Sequence, residues 1–242
     1  MNNFFGRALK GLMLGSGLLA SLACLAQADK PLPHKATTYT VKPDYRKCAF
    51  PLCGGWFLTP VNQYSLQLEN EDEAYQNSLL VPNTIYVSHI NYRALGVTPE
   101  QIKELETIMR SGQALLAGSA NSFASFVPAA RTFTAQAAWT SPTKTEPVGP
   151  YLNVSSSGIV CITTPCPYYK AELINSGFSS NFHELNFEKA ELDREQEALA
   201  WQAISSKGLV LTGVTFVSQG MTGTGTGIAA TKVFFPFPTK KY

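Results

Sequence analysis

A C-x4-C motif occurs twice in this 242-residue chain, as Cys48-Ala-Phe-Pro-Leu-Cys53 and Cys161-Ile-Thr-Thr-Pro-Cys166, and its surroundings recur with it. Counted from the second cysteine, an aromatic follows three residues on (Trp56, Tyr169) and an asparagine nine residues on (Asn62, Asn175). Farther along, Asn91-Tyr92 matches Asn186-Phe187, and 111–118 (SGQALLAG) matches 206–213 (SKGLVLTG), both at an offset of 95. The simplest reading is a tandem duplication. Residues 29–140 form the first copy, 141–149 a polar linker with two prolines, and 150–242 the second copy.

The segment 1–28 reads as a signal peptide. Arg7 and Lys10 precede a short apolar run over 12–25, and Ala26-Gln27-Ala28 supplies the small-x-small cleavage pattern. The run is short for a membrane span, and nothing after residue 28 looks transmembrane. The alternative is a lipoprotein anchored at Cys24, behind Ser21-Leu22-Ala23. Either route places the chain outside the cytoplasm, periplasmic or secreted.

The formal charge is +2, and residues 1–28 carry two basic and no acidic side chains, so the remainder is neutral. A neutral chain has no broad attraction for polyanions, which argues against nucleic acid as a partner. The partner class left is a protein or envelope ligand, and nothing in the sequence sets an oligomeric state. The roughly 214 residues after the signal suit one large domain or two of about 100 each.

Strand-like stretches fall at 37–41, 56–61, 84–92, 114–117 and 131–139, and again at 151–154, 168–174, 182–187 and 209–217. The clearest helix spans 98–110. Thr98 caps it, Pro99 takes the first position, Gln101 completes a capping box, and Val97 and Ile102 sit as a hydrophobic staple. Ile102, Leu105 and Met109 share one face. Asp193 and Gln196 repeat the cap and box 95 residues later and start a helix running to about Ser205. The expected fold is α+β: two copies of a β-β-β-α-β-β unit, mostly antiparallel, with one short helix per repeat. The glycine/threonine run at 222–227 reads as an inserted loop ahead of Ala229-Ala230, which match Ala129-Ala130. Phe234-Phe235-Pro236-Phe237-Pro238 reads as a strand pinning the chain end to the core.

Four thiols remain after residue 28. In an oxidising compartment they predict two disulfides. Three connectivities exist, and duplication favours Cys48–Cys53 with Cys161–Cys166, because each ancestral unit would have carried its own bridge. A ring of about six residues stabilises by only roughly 2 kcal/mol in the chain-entropy model. Such bridges stiffen loops more than they staple a fold, either to hold strand entry and exit in register or to preorganise a recognition surface. A four-thiolate metal site and a thioredoxin-like redox role fit the spacing less well. No metal and no cofactor are expected.

The remaining chemistry is sparse. His34 lies in the lead-in, and His89 and His183 occupy neighbouring, not equivalent, repeat positions. No G-x-S-x-G, H-E-x-x-H or Walker pattern occurs. Ser156-Ser157-Gly158 and the run at 222–227 lack the lysine of a phosphate loop. Glu69, Glu71, Asp72 and Glu73 lack calcium-loop spacing and read as a solvated stretch. Lys240-Lys241 is too short for a basic tail. No catalytic residue is assigned.

The stretch Asp44-Tyr45-Arg46-Lys47-Cys48-Ala49-Phe50-Pro51-Leu52-Cys53-Gly54-Gly55-Trp56, followed by Val61-Asn62, resembles a family of uncharacterised secreted bacterial proteins. Their signature runs D-x-R-x-C-x-x-P-x-C-G-G-aromatic, then V-N. The segment from Gly158 to Pro167 resembles the companion loop, without Gly-Gly after its cysteine. The resemblance implies export and a bacterial origin and supplies no activity.

The leading expectation is therefore an exported non-enzymatic module that binds a protein or envelope component through its disulfide-constrained loops. One alternative is protease inhibition through the bridged segments Phe50-Pro51-Leu52 and Ile162-Thr163-Thr164. The other is an exported hydrolase with its site between the repeats. A deep cleft holding a carboxylate or histidine pair would favour the hydrolase, and a solid apolar interface would count against it.

Overall fold

The two helices begin where the sequence places them. In the computed structural model, helix α1 (Pro99–Arg110) is capped by the Thr98 hydroxyl accepting from the Gln101 N–H, with the Gln101 side chain returning to the Thr98 N–H. Helix α2 (Arg194–Ser206) repeats the device with Asp193 and Gln196. Each box satisfies two helix-end donors that would otherwise lack partners. Leu105 and Met109 are buried on the inner face of α1, and Ile102 and Val97 pack against the same cluster.

The structure describes residues 36–68, 78–121, 131–221 and 223–238, within one compact unit spanning Lys35–Tyr242. The signal segment 1–28 with Cys24, His34, the acidic stretch 69–73, Ala129-Ala130 and Lys240-Lys241 lie outside the described residues. Among the described residues no helix is long and apolar enough to cross a membrane.

The first half contains β1 (Thr37–Pro43), β2 (Trp56–Pro60), the hairpin β3 (Tyr64–Leu68) and β4 (Ser78–Pro82), β5 (Ile85–Val87), β6 (His89–Asn91), α1, β7 (Ala114–Asn121) and β8 (Thr132–Thr140). The second half contains β9 (Tyr151–Ser156), β10 (Tyr169–Leu173), β11 (Ser179–Phe182), β12 (Glu184–Asn186), α2, β13 (Leu209–Gly220) and β14 (Gly223–Pro236). In the first half β1 pairs with β2 and β7, β7 with β8, β2 with β5, and β6 runs parallel to β8. The second half makes the same five pairings between β9, β10, β13, β14, β11 and β12. The hairpin β3–β4 forms its own two-stranded sheet and has no counterpart there.

Two details correct the sequence reading. The third strand of each half is broken in two, at Ser88 and at His183. One straight strand cannot follow both edges it has to meet: β5 lies on β2, while β6 lies on β8 at the far side of the curled sheet. At the bends the Ser88 N–H donates to the Arg131 carbonyl and the His183 N–H to the Thr226 carbonyl. Each half is thereby closed into a five-stranded path, and the register slips beside Gly118 and Gly213 fall at matching places in it.

The second correction concerns the glycine/threonine run. Residues 223–227 are no loop; they open β14 and pair with β13 from Gly220↔Gly223 to Phe216↔Gly227. The glycines are there for space. A Cβ on Gly225 would lie 2.5 Å from the His183 ring, and one on Gly227 would strike the Phe216 ring.

The halves meet where β8 and β14 pair antiparallel, at Thr140↔Phe235 and Trp139↔Pro236. A separate apolar cluster fills this junction: Val61 and Leu115 from one half, Val210 and Phe234 from the other, flanked by Trp139, Tyr151 and Ile174. Burial there pushes the Tyr151 hydroxyl up to about 12. The three C-terminal phenylalanines divide among three clusters. Phe234 enters the junction, Phe235 packs on the second-half core, and Phe237 on the first-half core.

The segment 141–149 is held closely. The buried Lys232 amine donates to the Thr143 and Thr145 carbonyls at 3.1 and 2.6 Å, and Thr231 bonds both the N–H and the carbonyl of Val148. Desolvation lowers the Lys232 pKa. Its charge is partly answered by those two carbonyl dipoles.

Candidate functional site

Two asparagines that the sequence flags only as repeat matches hold the junction together. Asn62 and Asn175 follow β2 and β10 in the left-handed backbone region, at φ 56° and 61°, which asparagine tolerates better than most side chains. Asn175 Nδ2 donates to the Thr38 carbonyl at 2.7 Å and the Val61 carbonyl at 2.9 Å, while its Oδ1 accepts from the Thr38 N–H at 2.8 Å. Asn62 does the same in reverse. It donates to the Tyr151 and Ile174 carbonyls at 2.7 and 3.0 Å and accepts from the Tyr151 N–H at 2.9 Å. Each side-chain amide thus acts as a short piece of strand against the other half.

Both cysteine loops follow strands that start at this junction. Thr38 and Tyr151 lie at the starts of β1 and β9, and the loops leave from the opposite ends of those strands. The sheet order and pairing senses make β1 antiparallel to β9. Each loop thus lies about 20 Å along its strand from the junction.

The sulfurs pair as Cys48–Cys53 and Cys161–Cys166, with Cα–Cα separations of 5.6 and 5.8 Å. The first loop is braced by charge. The fully shielded Asp44 carboxylate accepts from the Arg46 backbone N–H and from its Nε and Nη2, the last at 2.8 Å. Arg46 also donates to the Leu52 carbonyl and lies over the Phe57 and Tyr86 rings at 5.1 and 5.3 Å. The Tyr86 hydroxyl donates to the Pro51 carbonyl, and Gly54 turns the chain at φ 82°. The motif residues Asp44, Arg46, Pro51 and Gly54 are thus members of one bracket.

The second loop has no such ion pair. Its neck is closed by the Ser157 N–H donating to the Tyr168 carbonyl and the Ser157 hydroxyl donating to the Pro167 carbonyl at 2.6 Å. Its bridged segment rests on the β13–β14 turn, where the Met221 N–H donates to the Thr164 hydroxyl.

Both loops expose large apolar side chains. Tyr45, Phe50 and Leu52 stand out on the first, and Val160 and Ile162 on the second, with Met221 beside them. Ile162 is fully exposed. The histidines are not brought together: His89 is exposed on β6, and the His183 ring accepts from the Thr226 N–H through Nδ1. Among the described residues no cluster of three or more His, Cys, Asp or Glu side chains has metal-binding geometry.

The Arg46 hydrogen bonds, opposed in part by burial, hold the Asp44 carboxyl below the ordinary carboxylate range. A depressed carboxyl contributes stability above its unfolded pKa of about 3.9 and loses it as pH falls through the lower folded value. The first loop should therefore loosen selectively below about pH 4. Reduction by a phosphine, followed by mass, should show Cys48–Cys53 opening faster relative to Cys161–Cys166 as pH falls. Asp44→Asn should open faster already at neutral pH and lose that dependence. An unchanged ratio between the two bridges would show that the ion pair does not brace the loop.

Fold and site together define an α+β module built on a mostly antiparallel sheet and carrying two disulfide-bridged loops. The chain belongs to the family described as a domain of unknown function (DUF6748), whose model matches residues 37–240. No curated protein and no solved structure matches it.

Proposed function

We propose that the protein is an exported, non-enzymatic recognition module, formed by duplication of one barrel-like unit, that binds an envelope component through its two disulfide-bridged loops. The observation carrying this reading is the pairing of rigidity with exposure. Each loop is closed by a disulfide, fastened at its neck to the barrel, and presents bulky apolar side chains to solvent. A stiff loop loses little freedom on binding. Soluble surfaces seldom gather such side chains without use.

The duplication rests on the shared element order, the shared pairings, the reciprocal asparagines and the matched capping boxes. Each half has the connectivity of a five-stranded Greek-key barrel with a helix between its third and fourth strands. In OB-type barrels the loop between the first and second strands, which here is the cysteine loop, commonly faces the ligand. Fold alone does not fix function, so the weight stays on the loops themselves. The junction between the halves holds an apolar cluster, and the pocket at its edge, lined by Thr38, Asn153, Lys170, Glu172 and Asn175, carries one carboxylate and no histidine, which counts against a hydrolase site there.

Binding of the exported protein to fractionated envelope material tests the reading. Phe50→Asp and Ile162→Asp lie on exposed side chains and should each weaken retention by about tenfold, the scale of losing one buried anchor. Retention equal to wild type in both variants would remove the loops from the binding surface.

A further inference from the structure

The two loops differ in chemistry, and the difference points to what the second one meets. Around the first, Lys42, Arg46 and Lys47 accompany Tyr45, Phe50 and Leu52. Around the second there is no charge in the chain from 151 to 169, nor from 208 to 231. Those stretches meet at one tip, where the bridged segment 161–166 sits on the turn at Gly220 and Met221. Val160, Ile162 and Met221 project from it at 90%, 105% and 94% exposure. These values describe a convex tip of separate aliphatic side chains, without the groove or flat patch of an ordinary protein interface.

The neck of this tip already satisfies part of its backbone, which lowers the cost of a poorly hydrating medium, where unpaired N–H groups are costly. The Gly158 N–H donates to the Ser156 hydroxyl, the Ile159 N–H to the Ser157 hydroxyl, and the Tyr168 N–H to the Cys166 carbonyl. Pro165 and Pro167 have no N–H to satisfy. Tyr168, 41% exposed at the neck, is the amphipathic ring type that sits at a headgroup boundary. Glu184, which accepts from the Ser218 hydroxyl three residues before Met221, limits how deep the tip can sink.

We propose that this tip inserts into the interfacial layer of a lipid bilayer, with Val160, Ile162 and Met221 reaching the acyl boundary and Tyr168 at headgroup level. The proposal rests on the recognition reading above and specifies the occupant of one of the two loops. Because the tip is uncharged, electroneutral lipid suffices and salt has little effect.

The test uses the exported protein and phosphatidylcholine vesicles. Ile162→Trp should show blue-shifted emission on adding vesicles, and brominated lipid should quench it, both read as the difference from wild type. This local readout does not depend on any N-terminal anchor. Direct vesicle binding should fall by about tenfold or more in Ile162→Asp and in Met221→Asp, and stay unchanged in Val148→Asp, an exposed apolar position outside both loops. Emission from Ile162→Trp that neither shifts nor is quenched would overturn the proposal, as would binding that requires anionic lipid or disappears in salt. If envelope retention survives lipid extraction and still depends on Ile162, a protein ligand replaces the bilayer and the recognition reading stands. If neither vesicles nor envelope retain the protein, both readings fail.

Discussion

Replacing Asn175 by alanine should lower the stability of the whole unit by about 2–4 kcal/mol, from three lost hydrogen bonds and the groups left behind them. The Thr38 N–H loses its acceptor, and the Thr38 and Val61 carbonyls each lose a donor. Alanine is also poorly suited to a φ of 61°, so strain adds to the loss. Asn175→Gly separates the two contributions, because glycine accepts that backbone and removes only the side chain. It should recover the strain and keep most of the deficit. Asn62→Ala should behave alike through Tyr151 and Ile174. Val61 and Ile174 each immediately precede the asparagine of their own half, so the two sets of bonds share one piece of backbone. The double variant should therefore cost less than the sum of the singles. Equilibrium denaturation of all four variants decides this, and additive losses would mean that the clamps act independently.

Much of the scaffold was legible because it is written in local chemistry. Capping boxes at Thr98 and Asp193 fixed both helix starts, and β-branched and aromatic runs located most strands. The bridges followed from even cysteine number and matched spacing. What was hidden depends on contacts distant in sequence. The breaks at Ser88 and His183 arise because one strand serves two edges, which no local preference encodes. The run at 222–227 looks like a loop because glycine usually marks one, yet here it admits two rings from neighbouring strands. Asn62 and Asn175 were visible as repeat matches, but their partners lie more than a hundred positions away in several of the bonds. An asparagine recurring just after a strand that ends in a hydrophobic residue was the available signal. Asp44 and Arg46 stood out through the family motif, while their role as a bracket needed the fold to bring up Phe57 and Tyr86.

Phe234→Ala should be the most damaging single truncation at the junction, costing about 3–5 kcal/mol for a fully buried aromatic. Phe234 is 2% exposed and packs beside the Tyr151 ring within a cluster drawn from both halves. Its strand is shared as well, because β14 pairs with β13 and β12 in its own half and with β8 in the other. A cavity here therefore weakens the contact through which each half supports its neighbour. Wild type should unfold in one transition, and amide exchange in Phe234→Ala should quicken in β1 and β7 as well as in β9 and β13. Leu105→Ala provides the comparison, since Leu105 is buried entirely within the first-half core. If Phe234→Ala leaves β1 and β7 fully protected, the junction is a seam between independent units. If protection falls on both sides, the aromatic end of β14 and the paired asparagines make two similar halves into one cooperative body, rigid enough to support both bridged loops.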